Sequence, residues 1–309
     1  MLITKHQKPL TPHELQLLTY LDSRMLLSSS DRANLRNLEK GYEGERLFFE
    51  LLKEKIHGEY ISLYDLLLES NQSEFQIDHL LVLDNKIILN EIKNFEGDFY
   101  VKENQWYVVP SKKEIRNPLQ QLQRSELLLR NLLHQIGAPF QIEAYLIFVN
   151  PEFTLYQAPY TKSIVFPTQL NRYMQELNSR TTRLNSAHMN VAKELVSRHL
   201  PEFTRNRQLE YHYEQLQKGV MCGFCRKLLV SSSKLKIICS KCGEKETIES
   251  AIKRSVKEFS FLFPERLITI TELHDWVNGI TSKKVIRSIL TNNLTLIRKG
   301  RSSYYIYDS

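Results

Sequence analysis

The sequence predicts a mixed-sheet α/β unit in its first half, then a helical stretch, a four-cysteine module and a small helical unit closed by a hairpin. Three observations carry this. Between residues 41 and 150, apolar runs of period two alternate with runs of period three to four. After Pro167 the texture turns helical. All four cysteines fall between 222 and 242, which in a chain with no others suggests a metal rather than disulfides.

In order, the spacing predicts a helix from His13 to about Met25, a polar break at Ser28-Ser29-Ser30-Asp31, and an amphipathic helix from Gly41 to about Ile56. Leu47, Phe48, Leu51, Leu52 and Ile56 form its apolar side. Tyr60–Leu68 reads as a strand. FQIDHLLVL (75–83) and KIILNEIKN (86–94) read as a hairpin about a two-residue Asp84-Asn85 turn. A second hairpin spans Phe99–Val109 around Glu103-Asn104, with Trp106 and Tyr107 as packing residues. Asn117-Pro118 opens a helix to about Ile136, proline suiting its first turn. Ile142–Asn150 is a buried strand. Helices follow at Thr168–Leu177, about Leu184–His199 and about Arg207–Lys218, broken by Pro201. The expected segments are 1–40, an N-terminal helical extension; 41–165, the α/β unit; 166–219, helical; 220–250, the cysteine module; and 255–309, the last unit.

At 309 residues more than one domain is expected. The 42% hydrophobic and 25% charged composition is that of an ordinary globular protein. A net charge of +7 and a pI near 9.1 lean towards a polyanionic partner without deciding it. The first residues lack a continuous apolar run, and no later stretch reaches the length of a membrane span, so the expectation is a cytoplasmic protein with no membrane contact.

The first hairpin carries chemistry. With a two-residue turn, Val82 faces Ile87, Leu80 faces Leu89, Asp78 faces Glu91 and Gln76 faces Lys93. Unbroken alternation puts all eight on one side of the sheet. Opposed residues have Cβ atoms about 5 Å apart. Two carboxylates there repel unless a cation or a proton lies between them, and a hard divalent ion suits oxygen ligands. By the same alternation His79 points to the other face, as a structural histidine. Read blandly, Asp78 and Glu91 are edge-strand charges paired with Lys93 and Gln76. Their sharing a face with core residues favours the metal site.

GYEGE (41–45), QIDH (76–79), NEIKN (90–94) and NPLQQ (117–121), in that order, resemble the nuclease-related domain, NERD, which is similar to the PD-(D/E)XK nuclease superfamily. The resemblance covers roughly 40–150 and implies a restriction-endonuclease-like mixed sheet. It implies that Asp78 and Glu91 bind Mg²⁺ (or Mn²⁺) and that Lys93 positions or activates the attacking water. It also implies that Glu45 sits near the metal and Gln121 beside the site. The superfamily's proline before the aspartate is replaced by Ile77. Glu45 competes with nearby Glu43 and Glu50, and Gln121 with Gln120 and Gln123.

Cys222-Gly223-Phe224-Cys225 and Cys239-Ser240-Lys241-Cys242 are two CxxC pairs separated by residues 226–238. Four thiolates leave a tetrahedral Zn²⁺ no open position, so the site is expected to be a structural zinc ribbon. KLLV after the first pair and LKII before the second suit its strands, and Gly223 and Gly243 its knuckle turns. Lys227, Lys234, Lys236, Lys241 and Lys245 form either a nucleic-acid surface or solvated charge.

Residues 269–309 read as helix, turn, helix and hairpin, which resembles a winged helix. Ser282 or Thr281 caps the second helix, Lys283–Asn292, whose Val285, Ile286, Ile289 and Leu290 face inward. From Ala251 to Ser309, ten Lys and Arg stand against five Asp and Glu. Lys283, Lys284, Arg287, Arg298, Lys299 and Arg301 are the candidate nucleic-acid contacts. The leading expectation is a metal-dependent nuclease hydrolysing phosphodiester bonds, of DNA above all, in DNA processing, repair or defence. The alternative is a non-catalytic nucleic-acid-binding or regulatory protein that keeps a nuclease-like scaffold. A third reading makes the downstream modules partner-binding parts of a repair, restriction or defence complex, and a homodimer fits enzymes that cut both strands.

Overall fold

The computed structural model describes every residue except 1–2, 5–8, 85, 139, 182, 201–208, 230–235 and 308–309. In chain order the elements are β1 (Ile3–Thr4), α1 (His13–Arg24), α2 (Ser29–Lys55), β2 (Ile61–Ser70), β3 (Ser73–Leu83), β4 (Lys86–Lys93), β5 (Gly97–Lys102), β6 (Gln105–Val108) and β7 (Glu114–Ile115). Then come α3 (Pro118–Gln135), β8 (Gln141–Phe148), β9 (Phe153–Tyr156), β10 (Ile164–Val165), α4 (Leu170–Ser179), α5 (Ser186–Ser197), β11 (Lys236–Ile238) and β12 (Lys245–Thr247). The last are α6 (Ile248–Leu262), α7 (Ile270–Trp276), α8 (Lys283–Asn293), β13 (Thr295–Ile297) and β14 (Tyr304–Ile306). They divide into two units, Met1–Pro12 with Asn37–Asn206, and His13–Arg36 with Arg207–Ser309.

The first unit is built on a six-stranded mixed sheet in the order β1-β2-β3-β4-β8-β10. β1 to β4 are antiparallel, and β8 runs parallel to both β4 and β10. Parallel strands need covering on both faces, and both are covered here. On one side Leu122, Leu129 and Leu132 of α3, Val191 and Leu195 of α5, and Trp106 and Phe153 of a second sheet (β7-β6-β5-β9) pack on Leu80, Leu89 and Leu146. On the other, Phe48, Leu52 and Ile56 of α2 and Met174 and Leu177 of α4 pack on Leu81, Ile88 and Ile147. Pro118 opens α3 as expected, and the Asn117 side chain caps it through the Leu119 amide.

Several sequence expectations need correction. The serines read as a break start a helix: Ser28 Oγ accepts from the Asp31 amide at 3.0 Å, and α2 runs on from Ser29 through Gly41 and Gly44. Leu47 is 45% exposed, and Phe49 takes a buried place instead. The helix expected over 207–218 is only a short 3-10 turn, Tyr213–Gln215, among the described residues. Asn85, Pro201 and Lys234 lie outside the described residues, as does the side chain of Arg301.

In the second unit α6 touches α1, α7 and α8. This helix has no counterpart in the sequence reading, although Thr247 caps it and Ile248, Ala251, Ile252, Ser255, Val256, Phe259 and Leu262 are its buried stripe. β13 pairs with β14, and Tyr305 also bridges to Ile268. Ser282 Oγ caps α8 through the Val285 amide; Ile286, Ile289 and Leu290 are buried, while Val285 is exposed. At the centre lies Arg24. Its guanidinium grips Glu258 with two bonds of 2.7 Å, donates to the carbonyls of Gln217 and Gly219, and lies 3.7 Å over the Trp276 ring. Both side chains are buried.

Candidate active site and metal centre

The hairpin register is the expected one from Leu83↔Lys86 to His79↔Asn90, and there the recorded pairing of β3 with β4 stops. Asp78 and Glu91 are therefore not a ladder pair. The Asp78 carboxylate instead accepts from the Ile92 amide at 2.8 Å. The neighbouring strand is irregular at the same level. Asp65 of β2 has φ +50, in the left-handed region that a strand residue does not ordinarily visit. The β2–β3 ladder skips Asp65 and Asp78 and resumes on either side.

Across this gap the strands exchange faces. Leu80 and Val82 of β3 share a core cluster with Phe75 and Ile77, and Ile61 and Leu63 of β2 share it with Leu66 and Leu68. Gln76 thus does not meet Lys93. It pairs with Leu67, and its amide donates to Asp65 Oδ1 at 2.6 Å.

Glu91, 1% exposed, is the buried centre of the site. Lys93 Nζ donates to its Oε1 at 2.6 Å, and the Gln121 side-chain amide donates to the same oxygen. Of the competing glutamines, Gln120 and Gln123 are exposed. Glu45 is half-buried while Glu43 and Glu50 face solvent. Gly44 brings α2 in: a Cβ there would meet Asn94 Cβ at 2.7 Å, and Asn94 also donates to the Lys40 carbonyl. Glu45, Asp78, Lys93 and Gln121 line one cleft of about 580 Å³, together with Phe95, Phe99 and Arg116. The structure thus brings together Asp78, Glu91, Lys93, Glu45 and Gln121.

The charges are crowded. Burial, then the carboxylates of Asp78 and Asp65, push Glu45 up to about 9. Burial and Glu91 push Asp78 up to about 7, although Lys93 and the Ile92 amide oppose this. For Lys93, burial lowers the pKa, but Asp78 and Glu91 outweigh it and hold the ammonium above its ordinary range. Oxygen donors carrying more negative charge than one lysine offsets fit a hard divalent cation. They are not a closed ligand set as they stand. Among the described residues only the four cysteines form a group of three or more with ligand atoms close enough to hold one ion.

An unfolded glutamate ionises near its ordinary 4.5, whereas folded Glu45 keeps its proton up to about 9. The unfolded state therefore loses the proton first, and stability falls as pH rises between those values. Glu45→Gln is expected to melt higher than wild type at about pH 8 and level with it at about pH 4, in thermal melts without added divalent ion. Each kcal/mol gained by removing the buried charge corresponds to about 2–4 °C for a unit of this size.

Behind the acids, on the opposite face, His79 is fully buried, and burial pulls it down to about 3, so the ring is neutral. Asn90 Nδ2 donates to Nδ1 at 2.9 Å and leaves Nε2 to donate to Ser62 Oγ at 3.1 Å, while Tyr173 donates to Asn90 Oδ1. His79 is structural, in keeping with the alternation argument.

Residues 40–149 match the family model of the nuclease-related domain, NERD. The matched segment runs from within α2 past the end of β8 and contains all five residues around the cleft. No curated protein matches the chain, and no solved structure does. Within the NERD segment sequence reasoning missed Asp65, whose signal was a lone acid in the apolar run YISLYDLLL. It also missed Arg116, an exposed cation on the cleft.

Outside the NERD segment, the thiols of Cys222, Cys225, Cys239 and Cys242 all lie within 4.8 Å of one another. The Cys222–Cys242 and Cys225–Cys239 sulfurs are 3.6 and 3.5 Å apart. Zn–S bonds of 2.3 Å in a tetrahedron put sulfurs about 3.8 Å apart, so the group fits a metal such as zinc. Backbone N–H groups of Cys242 and Lys241 help hold the Cys239 thiol down to about 6. The left-handed knuckle residues are Gly243 and Arg226, not Gly223. The strand before Cys239 pairs with Lys245–Thr247, and the segment after Cys225 forms the bridge Met221↔Leu228, with the Leu229 amide donating to the Val220 carbonyl. Purified protein is expected to carry about one zinc per chain and Cys239→Ser to lose it, as read by metal analysis. Metal binding contributes roughly 10–16 kcal/mol in isolated zinc-finger peptides, so the module should melt with the loss.

Lys283, Lys284, Arg287, Arg298 and Lys299 are exposed, and none forms an ion pair with a described residue. Among the described residues no helix is long and apolar enough to cross a membrane.

Proposed function

We propose that this protein is a metal-dependent nuclease acting on the phosphodiester bonds of DNA. The observation that carries the reading is Glu91, buried and held by Lys93 and Gln121 beside two further acids that keep their protons far above the ordinary range. Asp78, Glu91 and Glu45 would hold Mg²⁺ or Mn²⁺, which supplies Lewis-acid chemistry: it lowers the pKa of water and neutralises charge on the phosphate.

The chain's own groups divide the remaining work. Gln121 and Lys93 both donate to Glu91 Oε1 and so fix the rotamer of that carboxylate. The Ile92 amide does the same for Asp78. Asp78 and Glu91 raise Lys93 above its ordinary range, which favours its ammonium form. Its ammonium is a fixed positive charge for the scissile phosphate and a donor to the attacking water.

DNA engagement falls to the exposed cations of α8 and the β13–β14 turn, in an order of helices and strands that resembles a winged helix. The testing experiment is a cleavage panel with Mg²⁺ and Mn²⁺ over plasmid, linear duplex, single-stranded DNA and RNA. Cutting of a DNA form that requires the ion supports the reading. No cleavage of any substrate overturns it.

A further inference from the structure

The cleft beside the acids has a second wall that phosphodiester chemistry does not need. Phe95, Phe99, Val108, Ile115 and Pro118 line the cleft together with the charged residues. Phe95 belongs to a run of rings: it stacks on Phe99 at 5.1 Å and 19°, Phe99 lies 5.5 Å from Phe153, and Phe153 stacks on Phe148 at 3.9 Å and 12°. Phe148, Phe153 and Phe99 are buried, whereas Phe95, which also lies 5.9 Å from Phe148 and 6.3 Å from Phe153, is half-buried and lines the cleft. Arg116 and Lys40 add exposed positive charges to the cleft's lining, beside Lys93.

We infer that this cleft takes an unpaired nucleobase of a single-stranded or frayed nucleic acid, stacked on Phe95, with the neighbouring phosphate at the acids. The inference rests on the reading above for where the scissile phosphate lies. A planar, weakly polar ring followed by a phosphate matches an aromatic wall followed by a cationic rim. About 580 Å³ lies within the roughly 300–1,000 Å³ of pockets that enclose a small ligand. A base inside a duplex has both faces covered by its neighbours and reaches such a wall only after unstacking, at an energetic cost that an already single strand avoids. The same wall therefore discriminates against intact duplex.

The test uses the full chain with no added divalent ion. The probe is a short DNA strand carrying one 2-aminopurine, whose emission falls when it stacks, alone or annealed to its complement. Expected are a fall in emission for the single strand on binding and tighter binding of the single strand than of the duplex. Phe95→Ala should weaken that single-strand preference roughly 5- to 150-fold, the range for losing one base–aromatic stack. Phe95→Leu keeps apolar bulk and should lie between, and thermal melts establish that each variant is folded. Binding through the C-terminal cations raises both affinities, so the ratio of the two is the readout.

Equal affinity for the two forms with no change in emission overturns the inference, as does a folded Phe95→Leu that quenches like wild type. Quenching by a protein that cuts no strand with Mg²⁺ or Mn²⁺ supports the base site and removes the nuclease reading. Metal-dependent cutting of intact duplex without quenching does the reverse.

Discussion

Asp78→Asn should abolish divalent-metal-dependent cleavage, by roughly 10³-fold or more, while the melting temperature of the metal-free protein holds level or rises. Asparagine has the same shape, and its oxygen can still accept from the Ile92 amide, so the local backbone keeps its tether. What goes is a carboxyl that burial and Glu91 already push up to about 7. Its charge is a burden to the fold and a requirement for holding a cation. Lys93→Met makes a contrast. It should also stop cleavage, but it strips the cation from Glu91, whose side chain is 1% exposed. Leaving a buried carboxylate unpaired costs about 3–5 kcal/mol, so this variant should be inactive and also less stable. Kinetics and melts on the same preparations check both. An active Asp78→Asn would remove the acid from the proposed centre.

Glu258→Ala should destabilise the second unit by about 3–5 kcal/mol and lower its melting temperature by on the order of 10 °C or more. Arg24 has no exposed side-chain surface. Without Glu258 its guanidinium keeps only the carbonyls of Gln217 and Gly219 and the Trp276 ring, none of which carries a full negative charge. Removing both partners is gentler. Arg24→Met with Glu258→Leu replaces a desolvated ion pair by apolar volume and should recover most of the loss. Urea titrations of the single and double variants give the coupling. A double variant no better than Glu258→Ala alone would mean that packing around Arg24, not its charge, holds the unit.

Asp78, Glu91 and Lys93 could be named from the hairpin pattern, whose two-residue turn sets the register as far as His79↔Asn90. Glu45 and Gln121 were legible only through the resemblance of the GYEGE and NPLQQ blocks to the NERD family. The exchange of faces at Asp65 and Asp78 was not legible. Strict alternation is the only rule a strand pattern offers, and a single left-handed residue breaks it without changing composition. Helix α6 was hidden between two cysteine-module strands and the C-terminal helices, although its apolar stripe is regular. The serines before α2 read equally as loop or as cap, and only the bond from the Asp31 amide decides between them.

The gap in the β2–β3 ladder leaves the same register on both sides, Tyr64↔His79 before it and Leu66↔Ile77 after it. No residue has been inserted or deleted on either strand to make it, as a bulge would require. The strands thus exchange faces at one left-handed residue, Asp65, with the ladder aligned alike on either side of it.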